Sequence, residues 1–369
     1  MKVLIVNTVP TEKNGITNVI FNYHESLNSQ SVQMDVVMIN DADYVYKEKV
    51  KKNGGKYYVI IRSATTLLSY FLKLSRLIYS EKYDAVHIHG NSHTMVIELL
   101  AAKIGGCKAR IVHSHNTTCS SVFFHRLLSP LFCCLYTHAL ACGEEAGRWQ
   151  YGKRRTFTVL NNGVDTELFC FNEDDRFSIR KRMDISEHEI LIGNVGHFWG
   201  EVKNQSFVVT VFNVLYRKNP RYRLCLIGDG SFRSTVKQQV ENLGLQSKVF
   251  FTGNIDNVNE YLNAFDLILM PSLYEGLPLT LIDQQANGLQ CVCSDVITKE
   301  VDKTGNLLFI SLQQSAEYWA KEISSFLKLD NRKNRSRDAI EKIKKSGYSI
   351  KEEAWKLFCF YKNISKERV

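Results

Sequence analysis

The most informative segment of the sequence spans residues 270–283 and reads MPSLYEGLPLTLID. It continues a short apolar run, Leu267–Met270, which is typical of a buried strand, and passes through a Gly/Pro turn into a helical pattern that begins near Leu279. The free amides at the beginning of such a helix, together with the helix dipole, favour a bound diphosphate. Glu275 precedes the turn and Asp283 lies eight positions later. One carboxylate can accept hydrogen bonds from sugar hydroxyls and the other from ribose hydroxyls.

The same alternation of short apolar runs and helical periodicity extends along the whole chain. Strands are predicted near residues 2–6, 34–39, 57–61, 85–89, 110–114, 138–142, 156–159, 190–195, 223–227, 249–252, 267–270, 290–294 and 307–310. Alternating strands and helices indicate parallel sheets covered on both faces. A length of 369 residues allows two domains. We therefore predict an α/β protein with two Rossmann-like domains facing each other across a cleft, with ligands at the carboxyl ends of the strands.

Composition narrows the class of protein further. A hydrophobic fraction of 44% indicates a folded globular chain. No secretory signal pattern follows Met1, and no apolar run reaches the roughly 18 residues of a membrane span. The 10 cysteines form no CxxC pair, which favours reduced thiols over a disulfide framework. These features predict a cytoplasmic protein.

The formal net charge of +9 raises the question of an anionic partner. Nucleic acid is not expected, because no basic tract with interleaved aromatic residues is present. Basic residues between Lys47 and Arg76 lie close to the apolar stretch 67–74, which favours contact with an anionic membrane surface or a phosphate-rich substrate. A solvated basic face explains the pattern equally well.

Residues 271–278 match the signature PSxxEGxP of the family 4 retaining glycosyltransferases, and the sequence resembles that family over most of its length. The family has the GT-B fold and a second Glu eight residues after the first, where this chain has Asp283. The likeness is greatest to members that make capsule and other polysaccharides. It implies domains at 1–170 for the acceptor and 171–346 for the nucleotide sugar. Residues 347–369 would form a helix that returns to the first domain, with apolar side chains that include Trp355 docking there.

Several segments resemble the family's donor-binding motifs. Lys203 matches the cation that holds the diphosphate, and His197 stands where the family usually has Arg. Asn14-Gly15 replaces a Gly-Gly pair, and Asn tolerates unusual backbone angles well enough for that loop to form. The resemblance implies that the donor contacts Asn14, Gly15, His197, Lys203, Gly228, Gly253, Val258, Glu275, Gly276, Leu277, Leu279, Thr280 and Asp283.

Histidines cluster at the ends of the predicted strands. The family places a sugar-contacting histidine at a position that His115 matches, with His113 as the alternative. His87 and His89 would share one face of a strand, as zinc ligands do, but no Cys or carboxylate partner stands at ligand spacing. Asp41-Ala42-Asp43 has the spacing of a metal motif but is interpreted as a loop. No metal and no cofactor is predicted.

The resulting hypothesis is a metal-independent retaining hexosyltransferase that acts through Glu275, His115 and Lys203. The co-substrate would be a nucleoside diphosphate sugar, with a UDP-sugar favoured, and the acceptor a saccharide or lipid-linked saccharide at the inner membrane surface. Two alternatives stay open. A nucleotide-sugar epimerase can share the architecture, and a non-catalytic subunit would bind the sugar nucleotide without turning it over.

Overall fold

A computed structural model describes residues 1–12, 14–27 and 32–366 of the chain. Contacts between Cα atoms divide these residues into two compact units. The first unit contains Met1–Gly163 together with the C-terminal segment from Gly347, and the second contains Val164–Ser346. Each unit is built on one sheet.

The sheet of the first unit is entirely parallel. Its strands are β1 (Lys2–Asn7), β2 (Gln33–Met38), β3 (Tyr57–Val59), β4 (Ala85–Gly90), β5 (Ala109–Ser114), β6 (His138–Ala141) and β7 (Thr158–Val159). Their order across the sheet is β3-β2-β1-β4-β5-β6-β7. Because helices cover both faces, the central strands are largely buried, and Val3, Leu4 and Val6 of β1 are fully buried.

Among the described residues, seven α-helices connect these strands: α1 (Gly15–Ser26), α2 (Tyr44–Lys52), α3 (Leu67–Glu81), α4 (Val96–Ile104), α5 (Val122–Leu127), α6 (Ser129–Leu135) and α7 (Glu144–Tyr151). Their inward faces join the strands in one core, in which Tyr70, Leu74 and Phe132 are completely buried. The segment Asp41-Ala42-Asp43 lies in the loop before α2, where Asp41 pairs with Lys47 at 2.5 Å.

The second unit repeats this architecture with six parallel strands. They are β8 (Ile190–Val195), β9 (Tyr222–Ile227), β10 (Val249–Gly253), β11 (Leu267–Met270), β12 (Gln290–Ser294) and β13 (Leu307–Ile310), in the order β10-β9-β8-β11-β12-β13. Each strand predicted from the sequence overlaps one of the thirteen strands that the described residues form. The predicted α/β class of both halves is confirmed.

The helices of the second unit are α8 (Glu173–Arg182), α9 (Gln205–Lys218), α10 (Arg233–Asn242), α11 (Val258–Ala264), α12 (Leu279–Ala286), α13 (Ala316–Phe326) and α14 (Arg332–Lys345). Residues 327–331 separate α13 from α14. Arg332, at the beginning of α14, donates to the carbonyls of Asn287 and Asn263, so the second helix is held against α12.

The C-terminal helix α15 (Ile350–Lys366) packs on the first unit and contacts α1. Its buried apolar residues, Ile350, Ala354, Leu357, Tyr361 and Ile364, form a single stripe at helical spacing. The expectation that Trp355 joins this docking face is wrong: its side chain is 64% exposed. Trp355 follows the stripe residue Ala354 by one position, which rotates it by about 100° away from the unit.

A bilayer crossing needs a long, almost uninterrupted apolar helix. Within the described part of the chain, no helix has that combination of length and apolar character.

Candidate active site

The carboxyl ends of the strands in the second unit bring Lys203 and Glu275 together. Nζ of Lys203 lies 2.6 Å from Oε1 of Glu275, although the residues are 72 positions apart, and both side chains are mostly buried. The Lys203 stem runs past Gly196, where a Cβ atom would lie 3.1 Å from its Cγ. Because this charge-assisted contact is largely buried from solvent, it holds the ammonium group and the carboxylate in one geometry.

Two loops carry this pair, and backbone contacts fix them to each other. The amide of Leu273 donates to the carbonyl of Val202, and the side-chain amide of Asn204 donates to the carbonyl of Pro271. Asn204 adopts a left-handed conformation (φ 54°), which asparagine tolerates better than most residues. The loop after β8 and the loop after β11 therefore form one rigid support.

A glycine turn after β9 packs against the same support. Gly228 and Gly230 have φ values of 133° and 150°, and a Cβ atom on Gly228 would lie 2.0 Å from the carbonyl oxygen of Gly196. The amide of Phe198 donates to the carbonyl of Asp229 at 2.9 Å. Glycine is required here both for the backbone angles and for the close approach of the two chains.

The helix α12 begins four residues after Glu275, and its first turn lacks a side-chain cap within the described residues. Its N-cap is Pro278. A Cβ atom added to Gly276 would meet nothing within 4 Å, so the turn borders open space. Leu277 and Leu279 are partly buried and Thr280 is exposed. Free amides next to open space are what a phosphate group needs.

His197 lies at the exposed edge of this support, and its backbone carbonyl accepts a bond from the side chain of Gln205. Partial burial of the ring lowers the pKa of His197, and the neighbouring Lys203 lowers it further, while Glu275 acts in the opposite direction. The imidazole is therefore mainly neutral at neutral pH. Lys203 supplies the fixed positive charge here.

Asp283 lies on α12, one turn into the helix, and is partly buried. Burial, and after it the negative charge of Asp165, raise the pKa of Asp283 to about 8. Asp165 itself accepts hydrogen bonds from the amides of Glu167 and Leu168, both at 3.0 Å. A protonated carboxyl can donate as well as accept a hydrogen bond.

The remaining residues predicted for the donor in this unit stand at the ends of β10 and α11. Gly253 ends β10 with φ 73°, and its carbonyl accepts from the amide of Gly228 at 2.9 Å. Val258 begins α11 and is partly buried. Near this edge Arg233 contacts Asp229 at 3.3 Å and lies over the ring of Phe251.

In the first unit, Asn14 and Gly15 form the beginning of α1. Asn14 is extended (φ −136°, ψ 167°), so the expectation that it substitutes for glycine through unusual backbone angles is wrong. It is the N-cap instead: its side-chain oxygen accepts from the amide of Thr17 at 2.9 Å, and its amide group donates to the carbonyl of Pro10. A Cβ atom on Gly15 would meet nothing within 4 Å.

Four histidines form a layer on β4 and at the end of β5. His89 is paired in register with His113, and Nδ1 of His89 lies 2.8 Å from Nε2 of His115. His87 contacts the hydroxyl of Tyr361 on α15 through Nδ1 at 2.6 Å. His113 is completely buried, whereas His115 is partly exposed, so His115 is the better placed of the two to reach a ligand. Burial lowers the pKa of His115 to about 3, and the ring is neutral at neutral pH.

His87, His89 and His113 are also the group that comes nearest to a metal site among the described residues. Their candidate ligand nitrogens lie within 4.8 Å of one another. Three nitrogens bound to one tetrahedral zinc ion would be about 3.3 Å apart. The rings of His87 and His113 are stacked with an interplanar angle of 10°, which does not point their nitrogens to a common centre. The layer therefore matches stacked neutral imidazoles better than a convergent ligand set.

Comparison with known proteins identifies the family. The profile described as "Glycosyltransferase Family 4" matches residues 13–168, and the profile "Glycosyl transferases group 1" matches residues 175–346. EpsF of Bacillus subtilis (strain 168), which carries the name of a glycosyltransferase, is 30% identical over 370 residues that span 96% of this chain and 95% of EpsF. The chain belongs to glycosyltransferase family 4.

Two further proteins are similar to this family 4 glycosyltransferase. An Escherichia coli enzyme named UDP-Gal:alpha-D-GlcNAc-diphosphoundecaprenol alpha-1,3-galactosyltransferase is 27% identical over 252 residues, which span 64% of this chain and 63% of the relative. The crystal structure of Anabaena Alr3699/HepE in complex with UDP and glucose superposes with a TM-score of 0.77 at 15% identity. It covers 98% of this chain and all of that one, so the GT-B fold is shared.

Three residues of this family 4 glycosyltransferase were given no role at the site by sequence reasoning. Asn204 precedes the apolar period of α9, a position where asparagine commonly begins a helix. The amides that donate to Asp165 belong to residues two and three positions further along the chain, which is typical of an Asx turn. The spacing of His87 and His89 suggests a role for His89 only as a metal ligand, and no local signal reveals its contact with His115, because that contact joins neighbouring strands.

Proposed function

We propose that this glycosyltransferase transfers a hexose-type sugar from a nucleoside diphosphate sugar, with a UDP-sugar favoured, to a lipid-linked saccharide in the synthesis of a cell-surface polysaccharide. The anomeric configuration is retained and no metal ion takes part. The observation that carries the proposal is the Lys203–Glu275 pair, 2.6 Å apart, beside the uncapped beginning of α12.

The second unit supplies the donor contacts. The amides of α12 and the Lys203 ammonium receive the diphosphate, and Glu275 receives hydroxyls of the sugar. Asp283 receives the ribose. Lys203 is a fixed cation at the place where a divalent ion would otherwise balance the leaving group, which supports chemistry without a metal.

The first unit supplies the acceptor side and the contact of His115 with the transferred sugar. The neutral ring of His115 acts as a hydrogen-bond partner rather than a cation. The acceptor oxygen forms its bond to the anomeric carbon on the face from which the phosphate departs. The bond between that carbon and the phosphate oxygen breaks, and the acceptor proton passes to the departing phosphate.

The names of related proteins support the choice of substrates. The E. coli relative is named for UDP-galactose and for an acceptor carried on diphosphoundecaprenol, and the Anabaena structure holds UDP and glucose. An acceptor of this kind is membrane-anchored, which supports a location at the cytoplasmic face of the inner membrane and a peripheral contact with anionic lipid. We assign the acceptor to residues 1–170, the donor to residues 171–346 and a return to the first unit to residues 347–369.

The proposal is tested by incubating the purified protein with UDP-, GDP- and ADP-sugars, with and without a diphosphoundecaprenol-linked saccharide. We expect release of UDP that depends on the acceptor, and an NMR coupling constant that shows the donor's anomeric configuration in the product. Addition of EDTA should leave the rate unchanged. Interconversion of the donor without acceptor would indicate an epimerase, and binding without release of nucleoside diphosphate would indicate a non-catalytic subunit.

The variant Glu275→Ala should transfer sugar at least about 100-fold more slowly, because its contacts are made to the group that carries the developing charge. Its circular dichroism should match that of the wild type. The matched control is Glu241→Ala, which removes an exposed carboxylate of the same unit. Near-normal transfer by Glu275→Ala would contradict the assignment.

A further inference from the structure

The loop after β8 and the loop after β11 expose several large apolar side chains. Trp199 is 67% exposed and Tyr274 is 64% exposed. Val202 and Leu273, in the same two loops, are exposed as well. We call these four residues the Trp199–Tyr274 surface. The described residues of the second unit expose nine large apolar side chains, so nearly half of them are concentrated on these two short loops.

A backbone contact joins the two halves of this surface. The amide of Leu273 donates to the carbonyl of Val202 at 2.8 Å. Trp199 lies three positions before Val202, and Tyr274 follows Leu273 directly. The four side chains therefore border one short stretch of paired backbone. Exposed apolar residues concentrated in this way usually mark a binding surface.

Buried neighbours hold the two aromatic residues in place. Phe198 precedes Trp199 and is completely buried in the core of the second unit. The amide of Trp199 donates to Nδ1 of His197 at 3.3 Å. Ser272, two positions before Tyr274, is also completely buried. The exposed rings therefore extend from an anchored backbone, which lowers the entropic cost of ordering them against a ligand.

The chemistry of the surface suits a saccharide. A sugar ring presents apolar C–H groups on its faces and hydroxyls at its edge, so an aromatic face with hydrogen-bonding groups beside it complements both. The hydroxyl of Tyr274 is one such group. The exposed carboxylate of Glu201, two positions after Trp199, is another.

The parts of the donor have their contacts elsewhere in the proposed function. There the amides of α12 and Lys203 receive the diphosphate, Glu275 receives the sugar and Asp283 receives the ribose. Tyr274 directly precedes Glu275 but belongs to none of these contacts. The reactant that remains for the Trp199–Tyr274 surface is the saccharide to which the sugar is transferred.

We propose that Trp199 and Tyr274 stack against the acceptor saccharide and determine which acceptor this glycosyltransferase uses. This rests on the proposed function and deepens it, because it adds residues of the second unit to an acceptor contact otherwise assigned to residues 1–170. The rings contact the acceptor and not the nucleotide. Their loss therefore raises the KM for the acceptor and leaves the affinity for UDP unchanged.

The test measures transfer from UDP-galactose or UDP-glucose to a short-chain GlcNAc-diphosphate lipid at varied acceptor concentration. Trp199→Leu and Tyr274→Leu should each raise the KM for the acceptor about three- to tenfold, the loss expected for one aromatic contact. Trp199→Phe and Tyr274→Phe keep a ring and should stay close to the wild type. The matched controls Trp355→Leu and Tyr79→Leu remove exposed aromatic side chains of the first unit and should behave like the wild type.

Three results would overturn the proposal. The KM for the acceptor could be unchanged in both leucine variants, or leucine and phenylalanine could have equal effects, which would exclude stacking. Weaker binding of UDP by the leucine variants in isothermal titration would assign the surface to the donor. Unchanged circular dichroism and an unchanged thermal shift with UDP establish that the variants fold.

Saturation-transfer NMR separates this proposal from the proposed function, because it detects the bound saccharide without any transfer reaction. A signal on the saccharide that is present with the wild type and reduced with Trp199→Leu supports the surface, even in a chain that releases no UDP. A signal of equal size with both proteins, or no signal with the wild type, contradicts the surface, even in a chain that transfers sugar.

Discussion

The ammonium group of Lys203 and the carboxylate of Glu275 lie 2.6 Å apart and neutralise each other in a largely buried position. In the proposed mechanism the two groups serve different parts of one donor: Lys203 the diphosphate and Glu275 the sugar. Donor binding therefore replaces one internal ion pair by two contacts with the ligand. Substitution of Lys203 should therefore weaken binding of the diphosphate, and substitution of Glu275 should weaken binding of the sugar.

Lys203→Met should weaken the binding of UDP itself by about 10- to 100-fold, because one charge-assisted contact to phosphate is lost. Glu275→Gln should bind UDP like the wild type and lose the additional affinity that the sugar provides. Isothermal titration with UDP and with a UDP-sugar measures both effects. Lys218→Ala, an exposed lysine of the same unit, is the control. Equal weakening of UDP binding by both site variants would contradict this division of roles.

The raised pKa of Asp283, about 8, should make the protein less stable as the pH rises. An unfolded aspartate loses its proton near pH 4, whereas folded Asp283 keeps it until about pH 8. The folded state then binds more protons than the unfolded state over this range, so the free energy of unfolding falls between these two pH values. Urea titrations at pH 5 and pH 8 measure the fall.

In Asp283→Asn the decline between pH 5 and pH 8 should be smaller than in the wild type, because the titrating group is gone. Asp338→Asn changes an exposed aspartate of the same unit and should follow the wild type. A decline of the same size in Asp283→Asn would show that Asp283 carries no proton in the folded protein at pH 5–8.

His89 should act on the reaction by positioning His115, through the 2.8 Å contact between their rings. His89→Phe should lower kcat by about tenfold and leave UDP affinity unchanged, since the ring of His115 is no longer held. His89→Gln keeps a polar partner and should restore part of kcat. A purely structural role of His89 would instead lower the stability of both variants without this recovery.

The low pKa of His115, about 3, predicts that the dependence of kcat on pH contains no step from this residue between pH 5 and pH 8. Burial disfavours the charged ring, so His115 stays neutral throughout that range. Comparison of the wild type with His115→Gln, which keeps a neutral polar side chain, measures this directly. A step near pH 6.5 in the wild type that disappears in His115→Gln would contradict the assignment of a neutral ring.

The C-terminal helix should contribute to stability through Tyr361 and hardly at all through Trp355. Tyr361→Phe removes the hydroxyl bonded to His87 and leaves a buried ring nitrogen without that partner, which should cost about 1–3 kcal/mol in the free energy of unfolding. Trp355→Ala removes a larger but exposed side chain and should cost about 0.5 kcal/mol. Urea denaturation measures both, and a reversed order would contradict the observed packing.

The positions of the strands could be predicted from the sequence because both faces of each parallel sheet are buried. Segments such as Leu267–Met270 therefore read as unbroken apolar runs. The beginning of α12 could also be predicted, because a Gly/Pro turn separates an apolar run from a helical pattern at this position. Trp355 was misjudged because hydrophobic character alone does not fix the face of a helix, and only the stripe from Ile350 to Ile364 does so.

The contacts that organise the site were not accessible from local patterns. Lys203 and Glu275 are 72 residues apart, and His89 on β4 contacts His115, which follows the neighbouring strand β5. Such pairs depend on the order and register of the strands, which no single window of sequence contains. The role of Asn14 was missed for another reason: asparagine is favoured both at unusual backbone angles and at helix N-caps, and the sequence does not distinguish the two.

The glycine turn at Gly228 and Gly230 has a consequence for altering which sugar this enzyme accepts. Any side chain at Gly228 collides with the backbone of Gly196, so a library of variants there would mostly yield misfolded protein. The turn at Gly276 borders empty space and tolerates added atoms. Selection for new donor preferences should therefore diversify residues 276 and 277 and leave Gly196 and Gly228 unchanged.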